Sequence, residues 1–232
     1  SAMRWGRKTI NKLWGMEKAV LLGDYLFAKA GALTASTENL HVIKLLPETL
    51  MIITNGELAQ AANIFNINQS REQYFFRVAC KTAALFVMAT ESGAVLSRAP
   101  QKSVKILRDY GYNLGIAFQI IDDILDYIGT EAEMGKPVGS DLAQGTLTLP
   151  GFMLLEQYPA DNPVKKLFAN PTQKEYIAQT IEMVRNSDII ARCFDVAEEY
   201  KQKACADLKL LPSNGTRESL LNLADFIVTR RR

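Results

Sequence analysis

Gln119, Asp122, Asp123 and Asp126 are the residues whose types and spacing most invite chemistry. On a helix turning about 100° per residue they fall within an arc of about 100°, while Ala117, Phe118, Ile120, Ile121, Ile124 and Leu125 fill the rest with apolar side chains. A solvated face mixes charges of both signs over a wide arc; a narrow acidic stripe on an otherwise apolar rod faces an interior cleft. Carboxylates this close repel one another, and in a low-dielectric setting they demand cationic compensation. Oxygen ligands without histidine or thiolate select Mg²⁺, Mn²⁺ or Ca²⁺ over zinc, and Mg²⁺ is commonly held by one or two carboxylates together with phosphates. The stripe therefore predicts a metal-bound phosphate. The plainer alternative is an acidic stripe neutralised by lysines of neighbouring helices.

Two lysines are candidate partners. Lys81 is the only charged residue between Arg77 and Glu91, so its ammonium either snorkels to water or points at an internal anion. Lys136, in Gly135-Lys136-Pro137, joins a glycine hinge to a point charge, which suits closing over a phosphate, although a loop lysine is commonly just solvated. His41, the single histidine, has no activated nucleophile pattern nearby and reads as a surface or packing residue. Cys80, Cys193 and Cys205 are too widely spaced for a disulfide framework or a zinc site, which points to a reducing compartment.

Long helices must position these groups. Gly 14 and Pro 8 in 232 residues leave gaps suited to helices rather than short strands. The pattern predicts an all-α protein with helices at Asn11–Ala30, Glu38–Phe65, Glu72–Leu96, Lys102–Ile128, Leu149–Gln157, Gln173–Arg185, Ile189–Leu210 and Arg217–Arg230. Capping boxes are expected at Ser70 with Gln73 and at Thr172 with Glu175. Gly129 to Thr148 is the one long irregular stretch, a length that tends to carry function; Tyr158 to Pro171 reads as a polar surface excursion. Ser1 and Ala2 read as a tag remnant, and residues 3–232 as one domain. With 48% apolar and 22% charged residues and a net charge of +2, the chain has core enough to fold and no field to attract nucleic acid. No apolar run approaches the roughly 18 residues of a membrane span, the best being Ala83–Ala89.

Three segments, Phe118-Gln119-Ile120-Ile121-Asp122-Asp123-Ile124-Leu125-Asp126-Tyr127, Gly135-Lys136-Pro137-Val138-Gly139-Ser140-Asp141-Leu142 and Thr148-Leu149-Pro150, together resemble the second aspartate-rich region of trans-isoprenyl diphosphate synthases. Lys81-Thr82-Ala83 matches that family's KT pair, Gly56-Glu57-Leu58-Ala59-Gln60 its G-E-x-x-Q helix, and Gly23-Asp24-Tyr25-Leu26 its G-D-[YF]-L segment. The resemblance is strongest from about Arg4 to Pro150, and its final helix is like those of the long-chain polyprenyl synthases. It implies an isoprenoid synthase helical bundle around a central cavity. It also implies Mg²⁺-dependent condensation, with Mn²⁺ as a substitute, of an allylic diphosphate with isopentenyl diphosphate in isoprenoid biosynthesis. Asp122, Asp123 and Asp126 would hold metal; Lys81 and Lys136 would neutralise the departing diphosphate; Gln119 and Thr82 would sit beside the forming cation. Arg4 would contact substrate. A cytoplasmic homodimer or heteromer without a membrane span is the implied setting.

The chain also departs from the pattern. Arg4 to Asn11 is similar to the family's R-R-G-x-P-T-x-N, which follows a first aspartate-rich motif, yet only the tag remnant precedes it here. The expectation is a bundle whose N-terminal helices are missing. Trp5 replaces an arginine of the pattern, and Thr146 stands where many members carry a lysine. Two readings follow: a prenyltransferase, or its metal-binding portion, that makes polyprenyl diphosphates, or a non-catalytic or regulatory subunit of a heteromeric polyprenyl synthase. A terpene cyclase would use the same metal logic, but the KT pair and the GKPVGSDL loop favour chain elongation.

Overall fold

The computed structural model describes residues 2–4, 6–130, 135 and 137–229, the side chain of Arg4 excepted. A short hairpin, β1 (Met3–Arg4) and β2 (Arg7–Lys8), turns at Gly6 with φ +70. Among the described residues all other regular structure is helical: α1 (Ile10–Trp14), α2 (Met16–Ala35), α3 (Leu40–Ala62), α4 (Arg71–Val78), a π-helical turn (Ala79–Ala83) running into α5 (Ala84–Leu96), and α6 (Gln101–Ile128). The second half holds α7 (Ser140–Ala143), α8 (Leu149–Gln157), α9 (Pro163–Ala169), α10 (Glu175–Arg185), α11 (Ile189–Cys205), a 3₁₀ turn (Leu208–Leu210) and α12 (Gly215–Thr229).

The centre is α6, apolar over most of its circumference, with Tyr110, Leu114, Ile116, Ala117, Ile120, Ile121, Ile124 and Tyr127 shut from solvent. Its principal neighbours are α5 and α11. Two glycines bring α6 onto α5: a Cβ on Gly111 would fall 2.8 Å from Phe86 O, and one on Gly115 would fall 2.5 Å from Ala83 Cα. No side chain fits at either contact.

The helix ends follow local chemistry. The Ser70 box forms as expected: Gln73 N donates to Ser70 Oγ at 3.3 Å, and Ser70 N donates to Gln73 Oε1 at 2.9 Å. The Thr172 box does not form, because Thr172 Oγ1 is engaged by Asn170 Oδ1 at 2.7 Å and α10 begins only after Lys174. The helix expected at Asn11–Ala30 is broken at Gly15, φ +86, and its second part runs on to Ala35. Tyr158 to Pro171 is not a surface excursion. Buried Asn162 caps α9, accepting from Val164 N at 2.9 Å and donating to Leu154 O at 3.0 Å, and Val164, Leu167 and Phe168 enter the core. The expectation of no membrane-length run needs correction too: Arg71–Leu96, continuous through the π turn, is long and apolar enough by composition. It is a bundle helix packed on α3 and α6, and it carries Arg77 and Lys81. Cys80, Cys193 and Cys205 are free.

Candidate active-site cleft

Lys81 and Thr82 lie in the π-helical turn, where the extra residue of a wider ring re-aims side chains that a straight helix would spread apart. Buried Gly56 of α3 makes room for that turn: a Cβ there would lie 2.7 Å from Cys80 Cβ and 3.1 Å from Lys81 N. The next turn of α3 holds the ammonium, with Lys81 Nζ donating to Gln60 Oε1 at 3.1 Å and paired with Glu57 at 3.0 Å. Lys81 therefore lines the cleft while its side chain stays 38% exposed.

Across the cleft, α6 presents Gln119 and Asp123. Thr82 Oγ1 donates to Gln119 Oε1 at 2.6 Å, Gln119 Nε2 donates to Asp123 Oδ1 at 2.8 Å, and Tyr74 Oη donates to Asp123 Oδ2 at 2.7 Å. This chain of bonds fixes the orientation of each polar group. Arg77 is buried and anchored, its guanidinium donating to Gln69 Oε1 at 3.0 Å and to Leu147 O at 2.6 Å. The walls enclose about 120 Å³, completed by Asp141, Gln144, Thr146 and Thr148 of the returning loop.

Two carboxylates, Asp123 and Asp141, and two cations, Arg77 and Lys81, line the cleft. Burial first, then the negative charge of Asp141, pushes the Asp123 carboxyl up to about 7, against the hydrogen bonds of Gln119 and Tyr74 and the charge of Arg77. Burial lowers the Arg77 guanidinium from its usual range, with Asp123 opposing. Two carboxylates facing one small cleft fit a hard cation. Among the described residues no three His, Cys, Asp or Glu side chains gather as a complete ligand set, so part of the shell would come from water or phosphate.

Of the residues expected from sequence, Lys81, Thr82, Gln119 and Asp123 converge on the cleft. Asp122, half-buried on α6, is not among the residues that line the cleft. Asp126 is fully buried, its carboxylate accepting from Ser140 and from the Asp141 amide. Thr146 does line the cleft. Lys136 lies outside the described residues, as does the side chain of Arg4. His41 sits apart on the surface, Nε2 2.9 Å from Oε1 of buried Glu91. Sequence reasoning missed Tyr74, Arg77, Gln60 and Asp141. Tyr74, Arg77 and Lys81 stand at i, i+3 and i+7, a face that could have been read outward from Lys81, and Asp141 lies inside the quoted GKPVGSDL run.

The chain as a whole is similar to known proteins. The polyprenyl synthetase family pattern matches residues 1–184. The chain is 35% identical over 231 residues to solanesyl diphosphate synthase 2, chloroplastic, of Arabidopsis thaliana, covering 99% of this chain and 55% of that protein. It is 36% identical to heptaprenyl diphosphate synthase component 2 of Bacillus subtilis, over 99% of this chain and 66% of the relative. It superposes with a TM-score of 0.93 at 34% identity on the polyprenyl synthase from Caulobacter crescentus CB15 complexed with calcium and isoprenyl diphosphate, covering 100% of this chain and 72% of that one. The chain thus spans little more than half the length of the first of these relatives. With the ordered motifs, the helical bundle and the cleft all in agreement, the chain belongs to the polyprenyl synthetase family.

Proposed function

We propose that the cleft binds the diphosphate of an allylic prenyl substrate through a divalent cation, and that the chain takes part in condensing it with isopentenyl diphosphate. One observation carries this reading: the Lys81 ammonium and the Asp123–Asp141 carboxylates face one another across the same small cavity, bridged by Thr82 and Gln119. Asp123 and Asp141, which line the cleft, would supply hard oxygen ligands for Mg²⁺ or Mn²⁺, with Asp122 of α6 as a further candidate. Such an ion would supply Lewis-acid charge neutralisation of the diphosphate leaving group.

The chain's own groups do the rest. Lys81 offsets charge on the departing diphosphate, exchanging Glu57 for phosphate oxygens. Thr82 donates its hydroxyl hydrogen bond to Gln119, and Gln119 donates an amide hydrogen bond to Asp123, so the lone pairs of Thr82 stay oriented beside the developing allylic cation. Lys136 is proposed to close over the diphosphate and Arg4 to contact substrate. Titration with Mg²⁺ and inorganic pyrophosphate tests the reading. Asp123→Ala should weaken pyrophosphate binding by about 100-fold while leaving helicity intact, in line with loss of a ligand from a charged site. Undiminished Mg²⁺-dependent binding would make the stripe structural.

A second reading rests on a different observation. Helix α2 has no buried residue although it is rich in apolar side chains, and one relative is named as a component. On this reading the chain docks on another polypeptide and works only within that assembly.

A further inference from the structure

Asp126 is the carboxylate of the stripe that solvent does not reach. Its oxygens are taken by the chain itself: Oδ1 accepts from Ser140 Oγ at 2.9 Å and Oδ2 accepts from the Asp141 amide at 3.1 Å. Its backbone carbonyl accepts from the Gly139 amide at 2.8 Å. Three successive residues of the returning loop are therefore pinned to one residue of α6. The loop is pressed home from the other side as well. Gly139 adopts φ +73, and a Cβ there would lie 2.8 Å from both Ile177 Cγ2 and Ile181 Cδ1 of α10. From this anchored turn Asp141 opens α7 and lines the cleft with Asp123.

We propose that Asp126 is a positioning residue: its carboxylate anchors the Gly139–Asp141 turn, and so sets the Asp141 carboxylate beside Asp123, instead of reaching for a cation. The anchoring stands on the bonds above, and its consequence for ligand binding rests on the diphosphate reading. A carboxylate can accept both donors at once, whereas an amide offers one oxygen and would aim its NH₂ at the other donor.

Asp126→Asn should therefore speed hydrogen exchange of the Gly139 and Asp141 amides by about tenfold, with exchange in α6 and α11 unchanged. The same variant should lose Mn²⁺–pyrophosphate affinity to the level of Asp141→Asn, and the double variant should be no weaker than Asp141→Asn alone. Unchanged exchange at 139–141 overturns the proposal. So does a double variant about tenfold weaker than Asp141→Asn, the mark of an independent ligand. If Asp126→Asn does not fold, Ser140→Ala keeps the carboxylate and removes one donor; faster exchange at 139–141 supports the anchor and unchanged exchange overturns it. Should the unaltered protein not bind Mn²⁺–pyrophosphate at all, the diphosphate reading falls, and the exchange measurement still decides the anchor.

Discussion

Asp123 carries a conflict that pH exposes. Its carboxyl, ordinarily near 3.8, is raised to about 7 by burial and by Asp141. A raised acid reverses the usual carboxylate behaviour: between about pH 4 and 7 the folded protein keeps a proton that the unfolded chain has released, so stability falls as pH rises through that window. At about 1.4 kcal/mol per unit, the effect is of order a few kcal/mol. The metal-free protein should accordingly melt at a lower temperature at about pH 8 than at about pH 5, and Asp123→Asn should remove much of that slope. Mg²⁺ with pyrophosphate should raise the melting temperature more at pH 8, where the ligand oxygens are ionised. A variant and parent with parallel melting profiles from pH 5 to 8 would count against a buried, strained carboxylate. The acidity could be anticipated in kind from three aspartates on one apolar helix. Its focus on Asp123 could not, since that depends on Tyr74, Gln119 and Asp141 arriving from three different elements.

At the scale of elements, the cleft depends on how closely α3, α5 and α6 approach, and glycines set those distances. Gly115→Ala should destabilise the protein by about 1–3 kcal/mol, because the new methyl would meet the Ala83 backbone, which cannot swing aside as a side chain can. For a chain of this size that lowers the melting temperature by roughly 2–4 °C per kcal/mol. Gly93→Ala is the control: nothing lies within 4 Å of its added Cβ, so it should be neutral or slightly stabilising. Equal effects of the two substitutions would show that close packing at Gly115 is not what holds the layers together. The long helices were legible because their apolar periodicity is uninterrupted, and Leu149–Gln157 matches its expected bounds. What escaped were features fixed by tertiary partners. The π turn is shaped by Gly56 beneath it, α9 is stabilised by a buried Asn162 bridging to Leu154, and α7 is anchored on Asp126. None of these leaves a periodic trace. The Thr172 box failed for the converse reason: its local pattern is sound, but Asn170 competes for the hydroxyl.

For the whole molecule, α2 is the element out of balance. Val20, Leu21, Tyr25, Leu26, Phe27 and Leu33 are each 55–64% exposed, and at about 100° per residue they surround the helix rather than forming one stripe. A helix apolar on every side is ordinarily buried on every side; here no residue of its 20 is. Helix propensity alone leaves a segment of this length marginal in water, so packing must supply the rest. Among the described residues nothing sheathes α2. The chain studied alone should then bind a hydrophobic dye strongly and self-associate with rising concentration. Leu21→Glu with Leu26→Glu should reduce both while leaving Tyr110, Ile120 and the rest of the α6 core cooperative in thermal unfolding. The partner needed by the second functional reading would protect the same face, slowing amide exchange across Met16–Ala35. A clean monomer at high concentration with weak dye binding would mean that α2 is satisfied without cover, and the docking reading would fail with it.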